Sequence, residues 1–126
     1  MKKKVISTPL APKAVGPYSQ AIVADKTIYV SGQLPIDVKT GEFVPGGIKE
    51  QLTQIFKNIG YILNEAGYEF SDVVKTTVYL TDMKDFASLN EVYSQFFVEP
   101  YPARVAYQVA ALPKASMAEI DVIAVK

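Results

Sequence analysis

The sequence contains no cysteine, no histidine and no tryptophan. Without Cys there can be no disulfide, thiol nucleophile or thiolate metal site. Without His, the usual zinc sites and the Ser-His-Asp arrangement are excluded, along with the commonest general base. A metal would need oxygen ligands, and neither a D-x-D-x-D-G calcium loop nor a G-x-x-x-x-G-K phosphate loop occurs. Gly46-Gly47 reads as a turn and not as a dinucleotide fingerprint. An excess of one charge is missing too: 13 Lys plus Arg face 13 Asp plus Glu. Such a chain has no global field to draw in nucleic acid or an acidic membrane. Lys2-Lys3-Lys4 is read as a solvated start of chain rather than a nucleic-acid arm. No apolar run approaches the ~20 residues that cross a bilayer, and Pro9 and Pro12 interrupt any signal-like apolar segment. A cytoplasmic protein is expected.

What remains is ordinary globular material. The 126 residues fit one domain, 1–126, and the 49% apolar content can fill its core without staples. Val5 to Ser7 reads as a short strand, followed by a loop through Pro9, Pro12 and Pro17. Tyr18 to Ala24 and Thr27 to Ser31 are β-branched and aromatic runs around a hairpin turn at Ala24-Asp25-Lys26. Gly32 to Gly47 is expected to be mostly loop. Ile48, Leu52, Ile55, Ile59, Ile62 and Ala66 then recur at helical spacing, with Lys49, Glu50, Lys57 and Asn58 outward and Gly67 as the stop. Val73 to Thr81 reads as a strand with Val74, Thr76, Val78 and Leu80 on one face and Val73, Lys75, Thr77 and Tyr79 on the other. A second helix from about Asp85 to Phe97 carries the stripe Phe86, Leu89, Tyr93 and Phe96. Ala103–Val109 and Met117–Val125 close the chain as strands, joined through Leu112-Pro113-Lys114.

The order β-β-β-α-β-α-β-β gives an α+β domain with two helices over one face of a sheet. In the last strand Ala118, Ile120, Val122 and Ala124 would face the helices, and Glu119, Asp121 and Ile123 would face away. The second face is too apolar for water alone, so another subunit is expected to cover part of it.

Two residues stand out chemically. Twelve of the 13 basic residues are Lys, and Arg104 is the only Arg. A guanidinium fork binds a carboxylate through two parallel hydrogen bonds, which an ammonium cannot. Arg104 is either a recognition site for a small carboxylate or half of a structural salt bridge to Glu119 or Asp121. Glu119 lies in Ser116-Met117-Ala118-Glu119-Ile120-Asp121-Val122, a strand where charge is uncommon. A carboxylate against an apolar surface has its pKa raised and can take a proton near neutrality. Solvent-facing decoration is the alternative, and Asp121 on the same face supports it. Tyr18, Ser31, Asn90 and Lys75 are individually weak signals.

Together these residues resemble the RidA (YjgF) family, enamine/imine deaminase branch. The blocks are Gly16-Pro17-Tyr18-Ser19-Gln20, Ser31-Gly32-Gln33, Lys75 to Leu80, Pro102-Ala103-Arg104, Leu112-Pro113-Lys114 and Glu119 to Ala124, in that order. The resemblance implies a chorismate-mutase-like single domain, with a six-stranded mixed sheet and two helices on one face. It also implies a homotrimer with a central barrel and a cleft at each subunit interface. The implied activity is hydrolysis of 2-imino acids and their enamine tautomers to 2-oxo acids and ammonia, with no cofactor and no metal. Arg104 would bind the substrate carboxylate and Glu119 would activate water. Main-chain groups at Gly32 and Ala106 would hold the substrate, and Tyr18, Ser31 and Asn90 would line the cleft, Tyr18 from the neighbouring subunit. One departure is Val105-Ala106, where many members have Ser-Cys; it alters the pocket wall and removes any thiol-based regulation. The competing expectation is a non-catalytic, carboxylate-binding regulatory trimer. RNA-cleaving roles are also credited to related proteins, but a neutral chain without His or a basic stripe speaks against a nucleic-acid partner.

Overall fold

The structure is a computed structural model and describes residues 2–126. Strands β1 (Lys3–Ile6), β2 (Ala21–Ala24) and β3 (Thr27–Gln33) form an antiparallel meander. A small hairpin, β4 (Ile36–Asp37) with β5 (Glu42–Phe43), leads into helix α1 (Ile48–Glu65). Then come β6 (Val73–Leu80), helix α2 (Phe86–Phe96), β7 (Ala103–Gln108) and β8 (Ala118–Val125). The large sheet has the order β1-β2-β3-β8-β6-β7, with β6 and β7 parallel and every other pair antiparallel. The α+β class, the mixed six-stranded sheet and the two helices on one face match the expectation. Among the described residues, no helix is long and apolar enough to cross a membrane.

The core lies between helices and sheet. α1 contributes Leu52, Ile55, Phe56, Ile59, Ile62 and Leu63, and β8 contributes Ala118, Ile120, Val122 and Ala124, all buried. α1 ends where expected. Gly67 takes the left-handed conformation (φ +82°), so Tyr68 N–H can reach back to the Leu63 carbonyl at 2.8 Å.

Three expectations need correction. Asn58 is not outward: it is fully buried, and its amide donates to the Leu34 and Ile36 carbonyls at 3.1 and 3.0 Å. It satisfies the segment after β3, which the apolar count could not reveal. That segment is mostly loop, as expected, with β3 running to Gln33 and the short β4–β5 hairpin following. The strand expected from Tyr18 begins at Ala21, because Gln20 turns its side chain inward. There it binds Thr8, Ala11 and Pro12 main chain and holds the proline-rich loop. Finally, Val73 is buried and Val74 exposed, the reverse of strict alternation. The pairing of β6 with β8 slips between Val73 and Lys75, so Val74 is the extra residue of a bulge and the faces exchange there.

Candidate functional site

Arg104 stands on the helix face of β7, level with Thr76 of β6. Helix α2 grips it. Phe86, Asn90 and Tyr93 fall at positions i, i+4 and i+7 and therefore share one side of the helix. The guanidinium carbon sits 4.8 Å from the centre of the Tyr93 ring and 5.3 Å from that of Phe86. Nη1 donates to the Asn90 side-chain oxygen at 2.9 Å. The salt-bridge alternative does not hold: among the described residues the one ion pair joins Lys49 and Glu91. A guanidinium has five N–H donors, and Asn90 is the only side-chain partner Arg104 has among the described residues. β7 is also an edge strand, so its outer main-chain groups, on the strand that carries Ala106, have no sheet partner. The Ala106 side chain is half-buried against the core.

Glu119 belongs to a second cluster on the opposite face. The register of β3 with β8 shifts between Val30 and Gln33, so Ser31 and Gly32 together oppose Asp121. The Gln33 side-chain amide donates to the Ser31 carbonyl at 3.1 Å and supports this bulge. The Glu119 carboxylate lies directly over Gly32. A Cβ at position 32 would overlap its oxygen and come within 2.9 Å of its carboxyl carbon, so a side chain there would push the Glu119 carboxylate aside. Ser31 Oγ donates to the Ser19 carbonyl at 2.6 Å, which anchors the loop beside Tyr18. The Tyr18 ring is exposed, and its hydroxyl accepts from Val15 N–H at 3.4 Å.

Burial raises the Glu119 pKa, and the negative charge of Asp121 on the same face raises it further. Asp121 accepts a hydrogen bond from the Tyr79 hydroxyl at 3.0 Å. Lys75 lies on this face too and is half-buried, one position from the bulge in β6.

The structure thus sorts the expected residues into two groups. Ser31, Gly32 and Glu119 meet at the end of β3, with Tyr18 on the loop that Ser31 anchors; Asn90 and Arg104 meet at β7, with Ala106 two residues further along that strand. One chain does not join them. Glu119 is level with Tyr79 and Tyr107, two strands away and three residues along from Arg104. Standard strand dimensions put about 14 Å between the two Cα atoms, with the side chains on opposite faces. Two surface hollows, one of about 260 Å³ along α1 and α2 and one of about 340 Å³ around Phe70, Phe96 and Pro100, include neither Arg104 nor Glu119.

The open face also carries a run of apolar and aromatic side chains. Val5, Tyr29 and Tyr107 are about half exposed or more, at 61%, 49% and 53%. Ile22, Val105 and Ile123 lie between them, half-buried. Among the described residues no group of His, Cys, Asp and Glu is placed to hold a metal ion.

The roles of Phe86, Tyr93 and Thr76 were hidden in the sequence. Phe86 and Tyr93 read as core stripe and Thr76 as inward strand. Their combined signal is the i, i+4, i+7 spacing of Phe86, Asn90 and Tyr93 opposite a strand carrying the sole arginine.

Known proteins resemble this chain over nearly its whole length. A 2-iminobutanoate/2-iminopropanoate deaminase of Bos taurus is 55% identical over 124 residues, covering 98% of this chain and 90% of the relative. The crystal structure of RidA from the Antarctic bacterium Psychrobacter sp. superposes with a TM-score of 0.94 at 50% identity, covering 98% of this chain and 99% of that one. Escherichia coli TdcF, solved with bound serine, superposes with a TM-score of 0.92 at 43% identity, covering 98% of each chain. The sequence model of the family described as Endoribonuclease L-PSP matches residues 8–126, and the chain belongs to that family, the RidA (YjgF) family.

Proposed function

We propose that this chain hydrolyses 2-imino acids and their enamine tautomers to 2-oxo acids and ammonia, at sites formed between copies of itself. The observation that carries this reading is Arg104: a guanidinium gripped on one side and without a carboxylate partner among the described residues. A 2-imino acid places a carboxylate next to an electrophilic C=N carbon. The free fork of Arg104 binds that carboxylate through two parallel hydrogen bonds and fixes the reacting carbon. Gly32, Ser31, Asn90, Tyr18 and the main chain at Ala106 form the rest of the wall.

Glu119, with its raised pKa, is suited to take a proton from water near neutral pH. The water oxygen bonds to the C=N carbon and the π pair moves to nitrogen, giving a tetrahedral carbinolamine. The proton passes from Glu119 to that nitrogen. Glu119 then carries the hydroxyl proton to the nitrogen, the C–N bond breaks as the oxygen forms the carbonyl, and the nitrogen leaves as ammonia. The sum is imine plus water to oxo acid plus ammonia, with no change of oxidation state. These steps involve no thiol, so Val105-Ala106 leaves them intact.

Arg104 and Glu119 face opposite ways, so the proposed site takes Arg104 from one copy and Glu119 from the next. The proposed assembly is a cytoplasmic homotrimer with the open, apolar sheet faces turned inward as a barrel. The Bos taurus relative, named for this activity on 2-iminobutanoate and 2-iminopropanoate, and the serine bound to TdcF, a small amino acid with a carboxylate, support the substrate class.

The test couples a threonine dehydratase, which generates 2-iminobutanoate, to trapping of the imine as semicarbazone. Less semicarbazone is expected with this protein than with its folded Arg104→Ala variant. Equal trapping would overturn the enzymatic reading in favour of a carboxylate-binding protein.

A further inference from the structure

Arg104 is held by more than its hydrogen bond to Asn90. The Tyr93 ring lies closest to the guanidinium, within the ~6 Å at which a cation is drawn to an aromatic face. Tyr93 is itself 5% exposed and cannot turn freely. Its hydroxyl pairs with Thr76 Oγ1 at 2.9 Å, and Thr76 is fully buried. Thr76 is the direct strand neighbour of Arg104. The three side chains therefore close a loop: strand neighbour, ring and guanidinium. Arg104 also acts electrostatically on the Tyr93 phenol, opposing the upward push that burial gives its pKa.

We propose that Tyr93 is a positioning residue for Arg104, its ring fixing the plane of the guanidinium and Thr76 fixing the ring. The inference rests on the reading of Arg104 as the carboxylate clamp. An arginine side chain is long and rotamer-rich, and each bond it must freeze weakens the binding it provides. A ring locked by a buried hydroxyl pair orders the guanidinium in advance. The clamp grips the carboxylate equally in substrate and transition state, so losing this order should raise KM and leave kcat little changed.

Two measurements test this: KM and kcat in the semicarbazone assay, and calorimetric binding of 2-oxobutanoate. Tyr93→Leu is expected to raise KM and weaken 2-oxobutanoate binding by roughly 2- to 30-fold, the range of a cation–ring contact. Tyr93→Phe, made with Thr76→Val so that no hydroxyl is stranded, should recover most of that loss because the ring remains. A fall in kcat at unchanged KM would mark a merely structural role and overturn the proposal, as would parent-like binding by folded Tyr93→Leu. If Tyr93→Leu does not fold, trifluorophenylalanine at position 93 decides, since it keeps the shape of Phe and removes the charge of the ring face. Weaker binding than with Phe supports the proposal, and equal binding overturns it. Arg104→Ala separates the two layers. If it alone loses binding, only the role of Tyr93 falls; if it binds like the parent, the carboxylate clamp falls and the role of Tyr93 with it.

Discussion

At the scale of single residues, the proposed base Glu119 would set the pH behaviour. Burial, and secondly Asp121, make its carboxylate easier to protonate in the folded protein than in the unfolded chain. Two consequences follow with opposite sign. As the proposed base, Glu119 would work only when ionised, so kcat/KM should fall as pH drops through a pKa above the usual glutamate value. Asp121→Asn removes the second cause and should move this limb to lower pH. For stability, a raised native pKa means that the protonated form favours folding. Stability held below the unfolded pKa is lost as pH rises through the folded one. Glu119→Gln should therefore abolish turnover, keep 2-oxo acid binding and raise the melting temperature at neutral pH. That thermal gain should fade in acid. A pH–rate profile and melting curves across the range check both signs, and an acidic limb that ignores Asp121→Asn would remove Asp121 from the account.

The bulge in β3 shows how an element, rather than a residue, builds the site. Two residues opposing one turn Gly32 beneath the Glu119 carboxylate, which any side chain at 32 would push aside. Gly32→Ala must displace the flexible end of Glu119, at a cost of about 0.5–1.5 kcal/mol for an off-rotamer side chain. Because the clash is with one named side chain, the cost should nearly vanish in a Glu119→Ala background. Equal destabilisation in both backgrounds, measured by denaturant melts, would show that Gly32 serves the backbone alone. Periodicity made the elements legible: the apolar stripe of α1, the Gly67 stop and the inward set of β8 lie where spacing puts them. It could not show the bulges at Ser31-Gly32 and Val73-Val74, since an extra residue leaves no mark in composition. Nor could it show the inward turns of Gln20 and Asn58, whose partners are main-chain groups far along the chain. Of the candidate site, Arg104 was legible because it is the only arginine, and Glu119 because charge is rare in an inner strand. Their placement on opposite faces follows from the register of β6, β7 and β8, which no local pattern encodes.

For the whole molecule, that placement matters most. If each site takes Arg104 from one copy and Glu119 from its neighbour, two inactive variants should repair one another. When Arg104→Ala and Glu119→Gln chains are unfolded, mixed in equal amounts and refolded together, about one interface in four should pair two intact faces. The mixture should regain about a quarter of parent turnover, while each variant refolded alone stays inactive. Activity that never returns, with mixed oligomers confirmed by mass spectrometry, would place both residues in a site of one chain.

The two-faced sheet has a genetic counterpart. In the proposed oligomer, a chain that has lost one face would still lend a sound one to its neighbour, so two different loss-of-function alleles expressed together would complement within one gene product. Alleles damaged on the same face cannot. Crosses among such alleles would sort the residues of this domain into two groups, one for each side of the sheet.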